Sequence, residues 1–189
     1  MSLDETSDAT LTDAILVVRC QLGDESAWRA LVEQWHPRLW RFVLRMLSDQ
    51  TAAEDVLQTV WLRVVRSLIR LRDPDRLAAW IYRIARLAVA DQLRHQYRQP
   101  LTVKIEDVTQ VNLCLTAFQV GEEIEHGLRE LHVADREVVV LFYLEQLSVA
   151  EVAGICELPE GTVKSRLNRA RFQMRDTLEK KEPKHEKRN

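Results

Sequence analysis

Apolar residues recur every three or four positions along most of this 189-residue chain, and only 5 Gly and 5 Pro interrupt the pattern. That spacing puts apolar side chains on one face of a helix, and so few chain breaks argue against a turn-rich sandwich or barrel. Hydrophobic residues make up 46% of the chain and charged residues 30%, which is typical of a soluble globular protein. The sequence therefore predicts an all-α fold.

Simple counts argue against several protein classes. The longest apolar run, 138–144, is far shorter than the roughly 20 residues of a membrane-spanning helix, so no membrane insertion is expected. The acidic first five residues lack the plan of a secretory signal, which predicts a cytoplasmic protein. Cys20, Cys114 and Cys156 fit neither a disulfide framework nor a zinc site. Because the chain also lacks metal-binding, phosphate-binding and catalytic-triad patterns, neither an enzyme nor a cofactor is predicted.

Composition divides the chain in two. All five Trp precede residue 81, and every Lys follows residue 103. Pro100 disfavours continuation of the preceding helix, and the stretch after it is weakly patterned. We therefore predict two small helical domains, at 11–98 and 121–181, joined by a flexible linker at 99–120 and followed by a charged tail at 182–189.

Periodicity and capping signals predict eight helices. Thr51 and Glu54 have the spacing of a capping box, as do Ser148 and Glu151. Pro37 is expected to kink or restart the second helix. The predicted helices span residues 11–22, 25–47, 51–70, 77–97, 122–131, 135–145, 148–156 and 162–180.

Positive charge is concentrated in two islands, although the formal net charge is only −2. Residues 63–98 contain nine Arg and three Asp, and residues 162–189 contain ten Lys or Arg and four acidic residues. Each island thus carries about +6. This distribution is typical of a protein that binds nucleic acid.

A helix-turn-helix is predicted between Ser148 and Arg175, from a short capped helix, a tight turn with Gly161 and a second, basic helix. Helical projection buries one stripe of the second helix: Val163, Leu167, Ala170, Met174 and Leu178. The opposite face and its flanks hold the candidate contacts to DNA bases and phosphates: Lys164, Ser165, Arg166, Asn168, Arg169, Arg171, Phe172 and Arg175. The alternative is an ordinary solvated amphipathic helix.

Two further faces are candidates for binding. In the helix at 77–97, projection places Tyr82, Arg83, Arg86 and Arg94 opposite the core, which suits single-stranded or melting DNA. The alternatives are that these arginines are solvated or pair with Asp73 and Asp75, and that Tyr82 packs against a neighbouring helix. In the helix at 51–70, Leu62 projects away from the apolar stripe, together with Asp55 and Gln58. An exposed Leu among polar residues is typical of a small protein-docking patch, although a single exposed Leu is also commonplace.

These residues resemble the bacterial sigma factors of the extracytoplasmic-function (ECF) group, which carry sigma regions 2 and 4. The strings at 53–63 and 79–86 are similar to region 2, and those at 147–153 and 159–167 to region 4. The resemblance covers about 16–98 and 122–180. Two departures concern the promoter −10 element: Leu87 stands where family members often have Asn, and the loop at 71–77 has no aromatic residue.

The resemblance implies a mechanism and partners. Asp55, Gln58 and Leu62 would dock on the clamp coiled coil of core RNA polymerase. The loop at 70–76 and the candidate face of the next helix, Tyr82, Arg83, Arg86 and Arg94, would capture and open the −10 element. The helix from residue 162 would read the −35 element, and an anti-sigma factor is an expected partner. Two rival functions remain: a polymerase-independent helix-turn-helix regulator, and a protein-interaction module without DNA activity.

Overall fold

The computed structural model describes the backbone of residues 5–98 and 121–181, and the side chains of residues 13–96 and 121–178. All regular structure in these ranges is helical, so the predicted all-α fold is confirmed there. The helices are α1 (Glu5–Gln21), α2 (Glu25–Leu47), α3 (Gln50–Ser67), α4 (Leu77–Arg98), α5 (Glu122–Glu130), α6 (Val133–Val139), α7 (Val149–Cys156) and α8 (Glu160–Lys181). The predicted linker and tail lie outside the described residues.

The helices form two compact units: α1 to α4 belong to the first and α5 to α8 to the second. In the first unit, α2 packs against α1, α3 and α4, and α3 also packs against α4. Two short 3₁₀ turns, Leu68–Arg70 and Pro74–Arg76, connect α3 to α4. No helix of the described ranges is both long and apolar enough to cross a membrane.

Aromatic side chains fill the centre of the first unit. Trp35, Phe42 and Tyr82 are completely buried, and the ring of Tyr82 meets the other two edge to face at centroid distances of 5.9 and 5.4 Å. Asp13 of α1 accepts hydrogen bonds from the side chains of Gln34 and Trp35 on α2, at 2.7 and 3.2 Å. Burial raises the pKa of Asp13, although these bonds and Arg38 oppose the rise. A polar contact thus joins α1 to the aromatic core.

Aspartates cap the starts of α2 and α3 in the first unit. Asp24 caps α2 by accepting from the backbone N–H groups of Ser26 and Ala27, and the hydroxyl of Ser26 and the guanidinium of Arg19 hold its pKa below the ordinary range. Asp49 caps α3 by accepting from the N–H of Ala52 at 2.6 Å. The predicted capping box at Thr51 is therefore wrong, because α3 begins one residue earlier, at Gln50.

Two predicted helices, at 25–47 and 135–145, differ from the observed ones in where helical structure is interrupted. Pro37 lies inside α2, which continues as a single helix from Glu25 to Leu47 rather than restarting. The predicted helix at 135–145 is α6 followed by a π-helical turn at Val140–Leu144, in which the N–H of Glu145 bonds to the carbonyl of Val140 at 3.0 Å. Proline tolerance and a π turn both depend on how the surroundings satisfy backbone groups.

In the second unit, α8 packs against α5, α6 and α7. The guanidinium of buried Arg136 donates to the carbonyls of Arg129 and Leu131, at 2.8 and 3.1 Å, and so satisfies the end of α5. Gly127 permits a close approach of α5 to α8, because a Cβ at this position would lie 3.3 Å from Cε of Met174. These contacts hold α5, α6 and α8 together.

The junction of α7 and α8 has the predicted helix-turn-helix order with a different turn. The capping box at Ser148 is confirmed: its hydroxyl accepts from the N–H of Glu151, whose carboxylate accepts from the N–H of Ser148 at 2.8 Å. The left-handed residue that ends α7 is Glu157, with a φ of 56°, rather than Gly161. Gly161 lies in the first turn of α8, which begins two residues before the predicted start.

Candidate functional site

The outer face of α8 carries most of the residues predicted to meet DNA. Val163, Leu167 and Ala170 are buried as projected, because they follow the 3.6-residue period. Met174 and Leu178 continue this stripe and are half-buried. The predicted contact residues Lys164, Ser165, Asn168, Arg169, Arg171, Phe172 and Arg175 are exposed, and Arg166 is half-buried.

Two arginines of α8 are anchored to the first turn of α6. Arg169 holds the carboxylate of Asp135 in two-point contact: its Nε lies 2.7 Å from Oδ2, and its Nη2 donates to Oδ1. This pairing raises the pKa of Arg169. Arg166 donates from Nη1 to the carbonyl of Ala134 at 3.3 Å. These arginines therefore connect α8 to the body of its own unit.

Weaker contacts organise the rest of the α8 surface. Lys164 Nζ lies 3.9 Å from a carboxylate oxygen of Glu160, one turn earlier, and the exposure of both groups makes the pair easy to exchange for phosphate. The hydroxyl of Ser165 donates to the carbonyl of Thr162 at 2.9 Å. The guanidinium of Arg171 lies 5.8 Å from the ring centre of Tyr143. The surface is thus positively charged and partly pre-ordered.

The predicted single-strand face of α4 needs one correction. Arg83 and Arg94 are exposed and Arg86 is half-buried, but Tyr82 is completely buried between Trp35 and Phe42. The expectation that Tyr82 offers an aromatic surface to unpaired bases is therefore wrong. Because α4 packs against both α2 and α3, it buries a wider arc than a single-stripe projection allows.

Asp91 links two basic residues near this face. Its carboxylate accepts from Arg63 of α3 at 2.9 Å and also from Arg94, one turn later on α4. These hydrogen bonds, first that of Arg63, lower the pKa of Asp91. The pair that Arg94 forms therefore involves Asp91, rather than the aspartates that precede α4 in the sequence. Arg63 was not among the predicted site residues, because its place beside Asp91 requires α3 to pack on α4.

The third surface lies on α3. Asp55, Gln58 and Leu62 are all exposed, and 52% of Leu62 is accessible to solvent. Val65 and Ile69 follow at helical spacing and are 57% and 66% exposed. The surface is therefore an apolar strip with polar residues at its start. Its continuation beyond Leu62 escaped the sequence analysis, although the same projection could have found it.

The described residues contain no cluster of three or more His, Cys, Asp or Glu side chains arranged to hold a metal ion. Cys20 and Cys156 are buried, and the thiol of Cys156 lies 3.6 Å from a carboxylate oxygen of Glu137. The candidate features described above are a charged surface on α8, arginines on α4 and an apolar strip on α3.

Comparison with known protein families gives two matches in chain order. Residues 31–99 match Sigma-70 region 2, and residues 121–174 match Sigma-70, region 4. Among curated proteins, a Mycobacterium bovis protein described as a probable RNA polymerase sigma-C factor is 30% identical over 171 residues, which span 88% of this chain and 92% of that protein. The ECF RNA polymerase sigma factor SigM of Mycobacterium tuberculosis is 32% identical over 165 residues, with 86% and 83% covered.

Solved structures agree on the fold. The sigma factor RpoE of Bartonella quintana, crystallised with the anti-sigma factor NepR, matches with a TM-score of 0.69 and 24% identity. The match covers 80% of this chain and 96% of that one. The arrangement of helices described above is therefore shared with a sigma factor of known structure.

Proposed function

This chain belongs to the sigma-70 family, as a sigma factor of the ECF group, and we propose how its three surfaces serve transcription initiation. A sigma factor binds core RNA polymerase and directs it to promoters. One observation carries the assignment of roles: an exposed apolar strip on α3 and an exposed basic face on α8 occur in the two units that match regions 2 and 4. We assign polymerase binding to α3 and duplex recognition to α8.

The α3 strip is proposed to dock on the polymerase clamp through Asp55, Gln58 and Leu62. Large exposed apolar groups bordered by polar residues are typical of protein contact sites. Val65, on the same side of α3, and Ile69, in the 3₁₀ turn that follows α3, extend the apolar area. We therefore expect the contact to run along the helix toward the 3₁₀ turn at Leu68–Arg70.

The α8 face is proposed to read the −35 element. Lys164, Ser165, Asn168 and Arg169 lie exposed where a recognition helix meets base edges, and Arg166 and Arg171 flank them for phosphate contacts. Lys and Arg side chains suit guanine, and Asn suits adenine, with about 1–3 kcal/mol of discrimination for each good pair. Several such pairs together make α8 selective, although the free energy of discrimination from each pair is small.

Capture of the −10 element is proposed for Arg83, Arg86 and Arg94, with the loop at 70–76. In that loop, Arg76 is held by Asp73 at 3.1 Å. Tyr82 is left out of this role because it is part of the core. Leu87, which is 40% exposed on the same helix, offers an apolar contact instead of the hydrogen bonds of an Asn.

An anti-sigma factor is a further proposed partner, and the cytoplasm, where RNA polymerase works, is the proposed place of action. The support is the fold shared with a sigma factor that was crystallised with such a partner. Proteins retained from a lysate of the source organism by the immobilised chain would be identified with and without excess core polymerase. An anti-sigma factor that covers the proposed docking strip should be displaced by the polymerase, since the two would compete for the same surface.

In vitro transcription with core RNA polymerase tests the function. Core enzyme plus this chain should produce promoter-dependent transcripts from a pool of genomic templates, and core enzyme alone should not. Absence of transcripts with an active core enzyme would overturn the assignment. Tight binding of the isolated chain to paired operator half-sites would instead indicate a polymerase-independent regulator.

A further inference from the structure

The contact between Asp135 and Arg169 joins a buried carboxylate to an exposed guanidinium. Asp135 is 1% exposed, whereas 59% of the Arg169 side chain is accessible to solvent. Asp135 lies in the first turn of α6, and its partner lies 34 residues later on α8. Burying a carboxylate is unfavourable unless a charged partner and hydrogen bonds compensate for the lost water. The guanidinium is therefore strongly held in its place.

The geometry leaves one edge of the guanidinium unused by Asp135. A guanidinium has five N–H groups in a plane. Asp135 takes the side edge, since its oxygens bind Nε and Nη2 of Arg169. The end edge, formed by Nη1 and the second hydrogen of Nη2, carries two parallel N–H groups. Parallel donors of this kind match O6 and N7 of guanine in the major groove.

We propose that Asp135 is a positioning residue for promoter recognition, which orients Arg169 so that its end edge reads a guanine of the −35 element. This inference rests on the proposed role of α8. Asp135 is buried and so does not touch DNA itself. It holds the side chain of Arg169 in the conformation required for binding before DNA is bound. The conformational entropy lost on binding is therefore smaller. The base preference then depends on a residue outside the recognition helix.

The test begins by selecting −35 duplexes from a randomised promoter pool with holoenzyme, that is, core polymerase plus the full chain. At each selected guanine, the affinity for the duplex is compared with that for a duplex in which adenine replaces the guanine. We expect Asp135→Asn to reduce this preference about tenfold or more at one base pair, in line with the loss of a bidentate contact. Arg169→Ala should reduce it at the same base pair.

The double variant tests whether Asp135 acts on the base preference through Arg169. Adding Asp135→Asn to Arg169→Ala should change the preference no further, because Asp135 acts through Arg169. Glu122→Gln is the matched control: it also removes one negative charge, at the exposed first residue of α5, and should leave the preference unchanged. If Asp135→Asn fails to fold, as judged by circular dichroism, Asp135→Glu keeps the charge but displaces the guanidinium, and should shift the same preference.

The outcomes separate this inference from the proposed function. Transcription from the selected promoters with an unchanged guanine preference in the folded Asp135 variant would overturn the inference and leave the sigma function intact. The inference would also be overturned if none of the guanine preferences in the selected duplexes depended on Arg169. Loss of the preference in the Asp135 and Arg169 variants, together with the silent control, would support it. Absence of transcripts with wild-type protein would count against the proposed function alone, and the same preferences would then be measured on the isolated chain.

Discussion

Individual arginines of this protein are held in place by aspartates. Asp135 holds Arg169, and Asp91 holds both Arg63 and Arg94. An arginine that is already oriented loses less freedom when it binds a phosphate or a base edge than one that is not. At the scale of single residues, we therefore expect these acids to favour DNA binding by orienting the arginines, without any DNA contact of their own.

Leu62 offers the sharpest test of the polymerase surface. Changing Leu62→Asp places a charge in the middle of the apolar strip, and we expect at least about thirtyfold weaker binding to core polymerase, the size of a central interface residue. Binding is measured by fluorescence titration of labelled chain with core enzyme. Leu22→Asp is the matched control, because Leu22 is 81% exposed in the turn after α1, outside the strip. Unchanged polymerase affinity in Leu62→Asp would show that the docking surface is elsewhere.

The raised pKa of Asp13 predicts that the stability of the protein depends on pH. Because burial raises its pKa in the folded protein, the folded state binds more protons than the unfolded state between the ordinary pKa of Asp, about 4, and the raised value. The contribution of Asp13 to stability therefore falls as the pH rises through that interval. Asp13→Asn keeps an acceptor oxygen but does not titrate. Its free energy of unfolding in urea, relative to wild type, should increase from pH 4 to pH 7. A difference that does not vary with pH would contradict this explanation.

Among the elements, α7 depends most clearly on its cap. It has only eight residues, Val149–Cys156, and is too short to be stable without support. Ser148 and Glu151 satisfy each other's backbone N–H groups, and Val152, Ala153, Ile155 and Cys156 face the core. Because α7 packs against α8, we expect a loss of order in α7 to be transmitted to α8.

Removal of the α7 cap gives an element-scale prediction. Ser148→Ala deletes the acceptor for the N–H of Glu151, and we expect the free energy of unfolding to fall by about 1 kcal/mol. The measurement is urea unfolding of the full chain by circular dichroism. Thr177→Ala is the control, because its hydroxyl only donates to the carbonyl of Gln173 within α8, and its effect should stay within about 0.5 kcal/mol. Equal effects of both changes would argue against the cap.

For the whole molecule, the uneven charge distribution is the main property. The net charge of −2 combines two islands of about +6 with acidic segments elsewhere. Affinity for DNA without sequence preference depends on the number of phosphates neutralised and falls as salt increases. A chain of near-neutral total charge is therefore expected to bind DNA weakly alone, so that productive binding depends on polymerase.

Crossed variants test this division of labour. In Lys164→Ala with Asn168→Ala, we expect preference for the selected −35 duplex to fall about tenfold or more while polymerase affinity is unchanged. In Leu62→Asp, we expect the reverse: polymerase affinity falls, and the isolated chain binds duplex as before. Both quantities are measured at physiological salt, together with binding of the wild-type chain to random DNA. High affinity for random DNA at that salt would contradict the expected dependence on polymerase.

The sequence alone was enough to predict features that depend on residues close together in the chain. The helical period identified the buried stripe of α8 and the exposed side of α3, and the Ser148 and Glu151 spacing identified the cap of α7. Family membership also followed from short strings in regions 2 and 4. These features are local, because a helix brings together residues only three or four positions apart.

Tertiary structure decided the rest. Tyr82 is buried because α4 packs against two helices rather than one, and Arg169 meets Asp135 because α6 and α8 pack together across 34 residues of sequence. The turn before α8 uses Glu157 in a left-handed conformation, although Gly161 is the residue whose type favours it. In each case, burial and charge pairing depend on which helices come into contact, and helical periodicity contains no information about that contact.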